Sequence, residues 1–239
     1  MGLFASASGR FNWASWRAAK LKKCRAACCA SSLAKTGRLL STAQFPKTVM
    51  QKALSRSAKK TMRLISGKWG GTRLGAPKGR GTRPTSDRNR EALFSMLAAR
   101  LDFDGLHVLD GFAGSGALGL EALSRGAAHC VFVENDHAAC AAIKANIAAC
   151  GAQDDAVLMR HDMRKARFDD AQFDLVFLDP PYGKGLAEAV LPALRPHLAQ
   201  NALIVIEEAK RTACEVPDGF VESDRRVKGD SIFIFLRAP

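Results

Sequence analysis

Short apolar runs alternate with helix-like stretches from residue 106 onward. The runs LHVLD, CVFVE, AVLM, DLVFLD and ALIVIEEA are each predicted to be a strand. Helices are predicted between them over 116–125, 136–150 and 186–197, with Asp136 as the N-cap of the second and Gly151 at its end. Apolar strands that alternate with helices are typical of a parallel sheet with helices on both faces.

The two ends of this pattern differ from its middle. Near the C-terminus, FVESDRRV and SIFIFLR are separated only by Lys228-Gly229-Asp230, which predicts a tight antiparallel hairpin. Upstream, helical spacing is shown by Leu93, Met96 and Leu97. Asp87 precedes them, and its negative charge suits the first turn of a helix. We therefore expect one more helix before the sheet and one antiparallel strand added at its end.

Basic residues are concentrated in the first part of the chain. Residues 1–61 hold 13 of the 36 Lys and Arg residues and none of the 23 Asp and Glu residues. Residues 63–90 hold eight bases and one acid, which leaves 15 bases and 22 acids for 91–239. We expect a basic, disordered extension over 1–61, a basic Gly-rich arm with a short strand or hairpin and a flexible loop over 62–90, and an acidic globular domain over 91–239. This charge layout is common in proteins that bind nucleic acids.

Three interpretations of residues 1–61 stay open. They are a disordered basic tail, an organellar transit peptide, or an extension from a start codon upstream of a working start at Met62. No run of about 18 apolar residues predicts a membrane span, and no CxxC pair or other metal-ligand spacing predicts a metal site.

A Gly-rich turn in VLDGFAGSGALGLEAL joins the first sheet strand to the next helix. Its GSGALG satisfies the GxGxxG pattern of dinucleotide sites, but that match alone is weak. Asp110 is expected to end the strand just before the loop, where an acid suits a cationic ligand better than a pyrophosphate. S-adenosylmethionine (SAM) carries an ammonium and a sulfonium, so we expect it here. The loop residues assigned to the cofactor are Gly111, Ala113, Gly114, Ser115 and Gly116.

Two further acids end neighbouring strands of the predicted sheet. Glu134 can accept hydrogen bonds from both ribose hydroxyls, and Asp162 from the adenine amine, with Met163 against the ring. Ligands of such sheets bind in the crevice outside the carboxyl ends of the strands. Three acids at one edge therefore strengthen the expectation of SAM.

Asp179-Pro180-Pro181-Tyr182 follows the fourth predicted strand and borders the same crevice. An exocyclic amine of a nucleobase is a poor nucleophile because its lone pair is delocalised into the ring. The Asp179 carboxylate and the Pro180 carbonyl can hold its two hydrogens, which is electrostatic preorganisation. Tyr182 offers a flat face for a splayed-out base.

At these motifs the chain resembles Class I SAM-dependent methyltransferases, and within them the bacterial RsmD family. The resemblance spans about 62–239 and is carried by RPTSDRNREALFSML, LDGFAGSGALGLEALSRGA, VFVEND and FDLVFLDPPY. It implies a Rossmann-like, seven-stranded, mostly parallel sheet, SAM as methyl donor, and N2 methylation of a guanine in 16S ribosomal RNA (rRNA). It also implies a cytoplasmic bacterial protein, unless residues 1–61 are a transit peptide. Gly111 and Asn89 depart from the residues expected in the family, Leu and Val.

We expect a monomer that acts on 16S rRNA, either naked or in an assembling 30S subunit. The bases expected to contact rRNA phosphates are Lys68, Arg73, Lys78, Arg80, Arg83, Arg88 and Arg90. The alternative function is an N6-adenine DNA methyltransferase, although no room is left for a large target-recognition insertion. A nicotinamide-dependent oxidoreductase would leave the Asp179 motif unexplained, and so would a non-catalytic RNA-binding protein.

Overall fold

The computed structural model describes residues 62–77, 87–212 and 214–238 of the 239-residue chain. The described residues begin with a small antiparallel pair, β1 (Met62–Arg63) and β2 (Arg73–Leu74). Four α-helices follow within the described part. They are α1 (Asp87–Ala98), α2 (Ala117–Ser124), α3 (His137–Cys150) and α4 (Leu186–Leu194). No helix in these residues combines the length and the hydropathy that a membrane-spanning segment needs.

Seven of the described strands form one sheet. They are β3 (His107–Gly111), β4 (His129–Glu134), β5 (Ala156–Arg160), β6 (Phe173–Leu178), β7 (Leu198–Ala209), β8 (Val221–Lys228) and β9 (Ser231–Arg237). Their order is β5-β4-β3-β6-β7-β9-β8, in which the pairs from β5 to β7 are parallel and the pairs with β9 are antiparallel. The predicted sheet with its C-terminal antiparallel hairpin is confirmed.

Both faces of the central strands are covered. In β6 the consecutive residues Leu175, Val176, Phe177 and Leu178 are all at most 1% exposed, although successive side chains of a strand point to opposite faces. Such burial on two faces requires a layer of structure on each side of the sheet, as the apolar runs of the sequence predict.

Most predicted elements are present with shifted ends. The N-cap of α3 is Asp136, whose side chain accepts from the backbone N–H of Ala139 at 2.8 Å, and its C-cap is Gly151, with φ of 65°. The helix expected over 186–197 is divided into α4 and a 3₁₀ turn, Arg195–His197. Pro196 lies in that turn, where its missing N–H breaks the α-helical bonding pattern.

The β1–β2 hairpin is packed against the rest of the molecule. Met62, Leu64 and Leu74 belong to the hydrophobic core. The buried Glu121 carboxylate of α2 accepts from the backbone N–H groups of Ile65 and Ser66, at 2.7 and 3.1 Å. The short hairpin predicted in the arm is therefore present and is held by the core.

Close approach of the hairpin to α2 requires a glycine. A Cβ atom on Gly67 would lie 1.8 Å from the carbonyl oxygen of Ser124, and Gly67 has φ of 81°. The next residue, Lys68, donates its N–H to that same oxygen at 2.7 Å.

The expected boundary between residues 90 and 91 falls inside α1 and is wrong, because a continuous helix crosses it. Residues 62–77 and α1 both contribute to the core around the sheet. Apolar contacts that the charge count does not reveal join them to one compact unit. The predicted extension over 1–61 lies outside the described residues.

Candidate active site

The candidate site lies at the edge of the sheet where the parallel strands end. The register of β3 pairs Gly111 with Val133 of β4 on one side and with Leu178 of β6 on the other. The residues that follow these three positions are the Gly-rich loop, Glu134 and Asp179. Strand pairing therefore brings all three segments to one edge.

The loop between β3 and α2 has an unusual backbone. Phe112, Gly114 and Gly116 have φ of 61°, 55° and 75°, and a positive φ is uncommon for a residue other than glycine. Ala113 donates its N–H to Val133 O of β4 at 3.0 Å. The loop is thus curled at the N-terminus of α2, where backbone N–H groups have no partner within the helix.

Asn146 of α3 holds the Gly-rich loop in place through side-chain hydrogen bonds, and it was not predicted from the sequence. Its side-chain Nδ2 donates to the carbonyl oxygens of Ser115 and Gly75, each at 2.9 Å, and its Oδ1 accepts from the Gly75 N–H at 2.7 Å. Asn146 is 2% exposed. A polar residue on the buried face of an otherwise alanine-rich helix was the signal that could have found it.

The third glycine of the GxGxxG pattern serves packing. A Cβ atom on Gly119 would lie 2.4 Å from Phe132 Cε1 and 2.5 Å from Cys130 Sγ of β4. Its absence allows α2 to approach the sheet closely, as the third glycine does in dinucleotide sites.

Asp110 does not end its strand, so that expectation is wrong. β3 continues to Gly111, and the Asp110 side chain is 1% exposed and accepts from the Gly119 N–H at 2.9 Å. Burial raises the pKa of the Asp110 carboxyl to about 8, and the nearby charge of Glu134 adds to this, while the Gly119 hydrogen bond opposes it. The side chain therefore anchors α2, and its contact with a cofactor stays a prediction.

Glu134 lies at the end of β4 and is half-buried. One carboxylate oxygen accepts from the Gly114 N–H and the other from the N–H groups of Asn135 and Asp136, each at 2.8 Å. The carboxylate thus ties the β3 loop to the β4 end. A carboxylate has about four acceptor positions, so capacity for a ligand hydroxyl is left.

Asp162 follows β5 and is paired with a neighbour that the sequence analysis did not consider. Its carboxylate accepts from Arg164 Nε at 3.0 Å and from Arg164 Nη2 at 2.5 Å. These side-chain hydrogen bonds lower the pKa of Asp162 to about 2. An adenine amine at Asp162 would share the carboxylate with this guanidinium.

Met163 lies close to Gly111. Met163 is 5% exposed. A Cβ atom on Gly111 would lie 3.2 Å from Met163 Sδ and 3.0 Å from Leu178 Cδ2. The departure from the family pattern at Gly111 therefore leaves room that these two side chains fill.

The Asp179 motif begins directly after β6. Asp179 is half-buried and Pro180 is buried. Tyr182 is half-buried and donates its hydroxyl to Glu207 Oε1 at 3.0 Å, with Ser231 Oγ at 3.2 Å. Burial raises the pKa of Tyr182 well above its usual value, so the hydroxyl keeps the proton that this bond uses.

Two buried acids at the end of β7 support the motif, and no role was predicted for them. Glu207 and Glu208 are 3% and 2% exposed, and Glu208 Oε1 accepts from the Gly183 N–H at 3.0 Å. The signal was present in ALIVIEEA, where two acids end an apolar strand as in the neighbouring strands.

The predicted rRNA-contacting bases have different environments. Arg73 and Arg88 are exposed, and Lys68 forms an ion pair with Asp155 at 3.4 Å. Arg90 is fully buried and donates to Arg63 O and to Asp87 Oδ1, so its expected phosphate contact is wrong in this conformation. The predicted bases at 78, 80 and 83 lie outside the described residues.

An open cleft of about 390 Å³ lies beside Tyr182. Its other lining residues come from the end of β7 and the β8–β9 turn: Ala209, Lys210, Arg211, Gly229 and Asp230. Neither base was predicted as part of the site.

In the part of the chain that the structure describes, no three His, Cys, Asp or Glu side chains come together in a way that could hold a metal ion. The cysteines described there are Cys130, Cys140, Cys150 and Cys214, and all four are buried free thiols.

Comparison with known proteins identifies the family. The family model described as "Conserved hypothetical protein 95" matches residues 62–237. The chain belongs to this family, and the resemblance to the RsmD family is confirmed.

Relatives named Ribosomal RNA small subunit methyltransferase D support the same grouping. The one from Haemophilus influenzae is 36% identical over 186 residues, which are 75% of this chain and 95% of the relative. The one from Escherichia coli K12 is 40% identical over 148 residues, which are 61% of this chain and 74% of the relative. The solved structure of the yhhF protein from Escherichia coli has a TM-score of 0.63 and 34% identity, covering 74% of this chain and 98% of that chain. The Rossmann-like methyltransferase fold is thereby confirmed.

Proposed function

We propose that this protein transfers a methyl group from SAM to the exocyclic N2 amine of a guanine in small-subunit rRNA. The observation that carries the proposal is the β3–β6 register, in which Gly111 and Leu178 are partners. This register puts the Gly-rich loop and the Asp179-Pro180 acceptors side by side. A methyl donor held by the loop and an amine held by the acceptors would then be neighbours.

The loop side of the crevice is suited to SAM. Glu134 is fixed by three backbone N–H groups and keeps acceptor capacity for a ribose hydroxyl. The curled loop offers backbone groups at the start of α2. We assign cofactor contacts to the loop, to Glu134 and to the Asp162-Met163 segment. Asp110 would support this site indirectly, because it accepts from the Gly119 N–H and so holds α2 behind the loop.

SAM supplies an electrophilic methyl group on a sulfonium. The protein has to hold the amine in line with it and to exclude other orientations. Asp179 accepts one amine hydrogen and can take the proton that the nitrogen releases after methylation, while the Pro180 carbonyl accepts the other. Positioning of this kind can lower a barrier by several kcal/mol, roughly 7–11 at the upper end.

The substrate part of the proposal rests on the relatives. Those from Haemophilus influenzae and Escherichia coli carry a name that specifies small-subunit rRNA. We extend this to the present chain, with 16S rRNA or an assembling 30S subunit as the partner, the protein acting as a monomer, and the bacterial cytoplasm as its location. Exposed bases such as Arg73 and Arg88 would contribute contacts to phosphates.

The test uses tritiated SAM offered separately with 16S rRNA, 30S particles and double-stranded DNA, followed by nucleoside analysis of each product. We expect label in N2-methylguanosine from an RNA substrate. Label in N6-methyladenine from DNA would identify the alternative enzyme, and no transfer to any of the three would contradict the proposal.

A further inference from the structure

The strand order separates two sides of the Asp179 motif. β6 lies between β3, which carries the Gly-rich loop, and β7. β9 is antiparallel to β7 and begins where β7 ends, with Ser231 opposite Ala209. The β8–β9 turn therefore reaches the same edge of the sheet, on the side of Asp179 away from the loop.

The open cleft beside Tyr182 lies on this second side. One of its walls is the Tyr182 side chain, whose hydroxyl is held by Glu207 and lies beside Ser231. Since both of these partners are buried, the ring has a fixed orientation at the entrance to the Asp179 motif. A molecule that approaches Asp179 from the side away from the loop would pass this ring.

Lys210 and Arg211 give the cleft its charge. Both are exposed, and neither forms a salt bridge with another described residue. Other described arginines are paired with acids, as Arg164 is with Asp162 and Arg226 with Asp224. Asp230, the acid in the lining, has an interaction of its own, and its carbonyl oxygen accepts from the Lys210 N–H at 2.8 Å.

Two neighbouring bases add to this charge. Lys184 is exposed two residues after Tyr182, and Lys228 is exposed next to Gly229 of the turn. Among the exposed side chains of these segments, the four bases Lys184, Lys210, Arg211 and Lys228 outnumber the one acid, Asp230. The acids nearby, Asp179, Glu207 and Glu208, are half-buried or buried. A surplus of cations beside an aromatic ring is the arrangement that binds a single nucleic-acid strand, with phosphates on the bases and a nucleobase on the ring.

We propose that this cleft receives the RNA strand on either side of the target nucleotide. Lys210 and Arg211 would contact the phosphates of this strand, and the Tyr182 ring would lie against the target base. The proposal rests on the proposed function and specifies how the substrate reaches it. The methyl donor would enter from the β3–β4 side and the nucleotide from the β7–β9 side, and they would meet at Asp179.

The experiment compares the full chain with two variants of equal charge change. One is K210Q/R211Q. The control is K144Q/R167Q, which neutralises an exposed lysine on α3 and an exposed arginine before β6. Methyl transfer to the preferred RNA, RNA binding at several salt concentrations, SAM affinity and melting temperature are measured for all three proteins.

We expect K210Q/R211Q to keep the melting temperature and the SAM affinity. Loss of two phosphate contacts should lower the salt slope of RNA binding by about 1.4 and weaken binding about tenfold near 0.15 M salt. The KM for RNA should rise with little change in kcat, while K144Q/R167Q should behave as the unchanged protein.

The possible failures are distinguishable. If the unchanged protein methylates RNA and K210Q/R211Q matches the control in slope and KM, the cleft is not the RNA entrance, and the proposed function stands. If the unchanged protein transfers no methyl group to RNA, the proposed function fails and this proposal fails with it.

Discussion

Replacing Asp110 by asparagine tests how the buried carboxyl contributes to stability. Asp110 is 1% exposed, and burial raises its pKa from 3.8 to about 8. The folded protein therefore binds a proton that the unfolded chain has released between these pH values. An asparagine resembles the protonated acid, and its side-chain oxygen can still accept from the Gly119 N–H.

The sign of the effect follows from proton linkage. A raised pKa contributes stability that is complete below pH 3.8 and is lost as the pH rises through about 8. Each pKa unit corresponds to about 1.36 kcal/mol, so a shift from 3.8 to about 8 gives a total loss of about 6 kcal/mol as an upper limit. Asp110→Asn lacks this loss because it carries no titrating proton.

We expect the two proteins to have similar free energies of unfolding near pH 4.5, and the variant to be several kcal/mol more stable near pH 8.5. Urea unfolding at intervals of half a pH unit measures the difference, with Asp170→Asn as the control for an exposed acid. A difference that stays constant between pH 5 and pH 8.5 would refute the raised pKa.

Three further predictions concern the crevice and its support. Glu134→Gln should weaken SAM binding by about 1–3 kcal/mol, the usual range for a lost charged hydrogen bond, and calorimetry at neutral pH would measure this. Asp179→Ala should lower kcat strongly while SAM affinity changes little, because its proposed partner is the target amine; activity within a few-fold of the unchanged protein would contradict that role. Gly119→Ala should destabilise the protein by about 1–3 kcal/mol, since the added methyl group meets Phe132 and Cys130, and the melting temperature would reveal this. Gly151→Ala is the control for a glycine with open space around it, although its positive φ adds some strain.

The order of secondary structure could be predicted from the sequence because it depends on local patterns. Apolar runs of strand length, the N-cap at Asp136 and the turn at Gly229 all act within a few residues, and each is present in the structure. The parallel sheet followed, since apolar strands that alternate with helices have few other ways to bury both faces. The acids and the Gly-rich loop could be assigned to one edge for the same reason.

The direction of individual side chains depended on tertiary structure. Asp110 is buried because α2 packs on the face of β3 to which its side chain points, where the Gly119 N–H donates to it. Arg90 resembled a phosphate-binding base in the charge count, yet α1 directs it inward to Arg63. The sequence pattern and the charge count do not show whether such a side chain is buried or exposed to a ligand, since its burial depends on elements distant in sequence.

The supports of the site also required the fold. Asn146 forms hydrogen bonds with Gly75, after the hairpin, and with Ser115 of the loop. Glu207 of β7 accepts from the hydroxyl of Tyr182, which follows the neighbouring strand β6. Lys210 and Arg211 line the same cleft as Tyr182 because β7 lies beside β6. The sequence by itself determined which chemical groups are available and in what order the chain presents them. The tertiary structure decided which of them are buried, paired or exposed to a ligand, because those properties arise from contacts between strands and helices that are far apart along the chain.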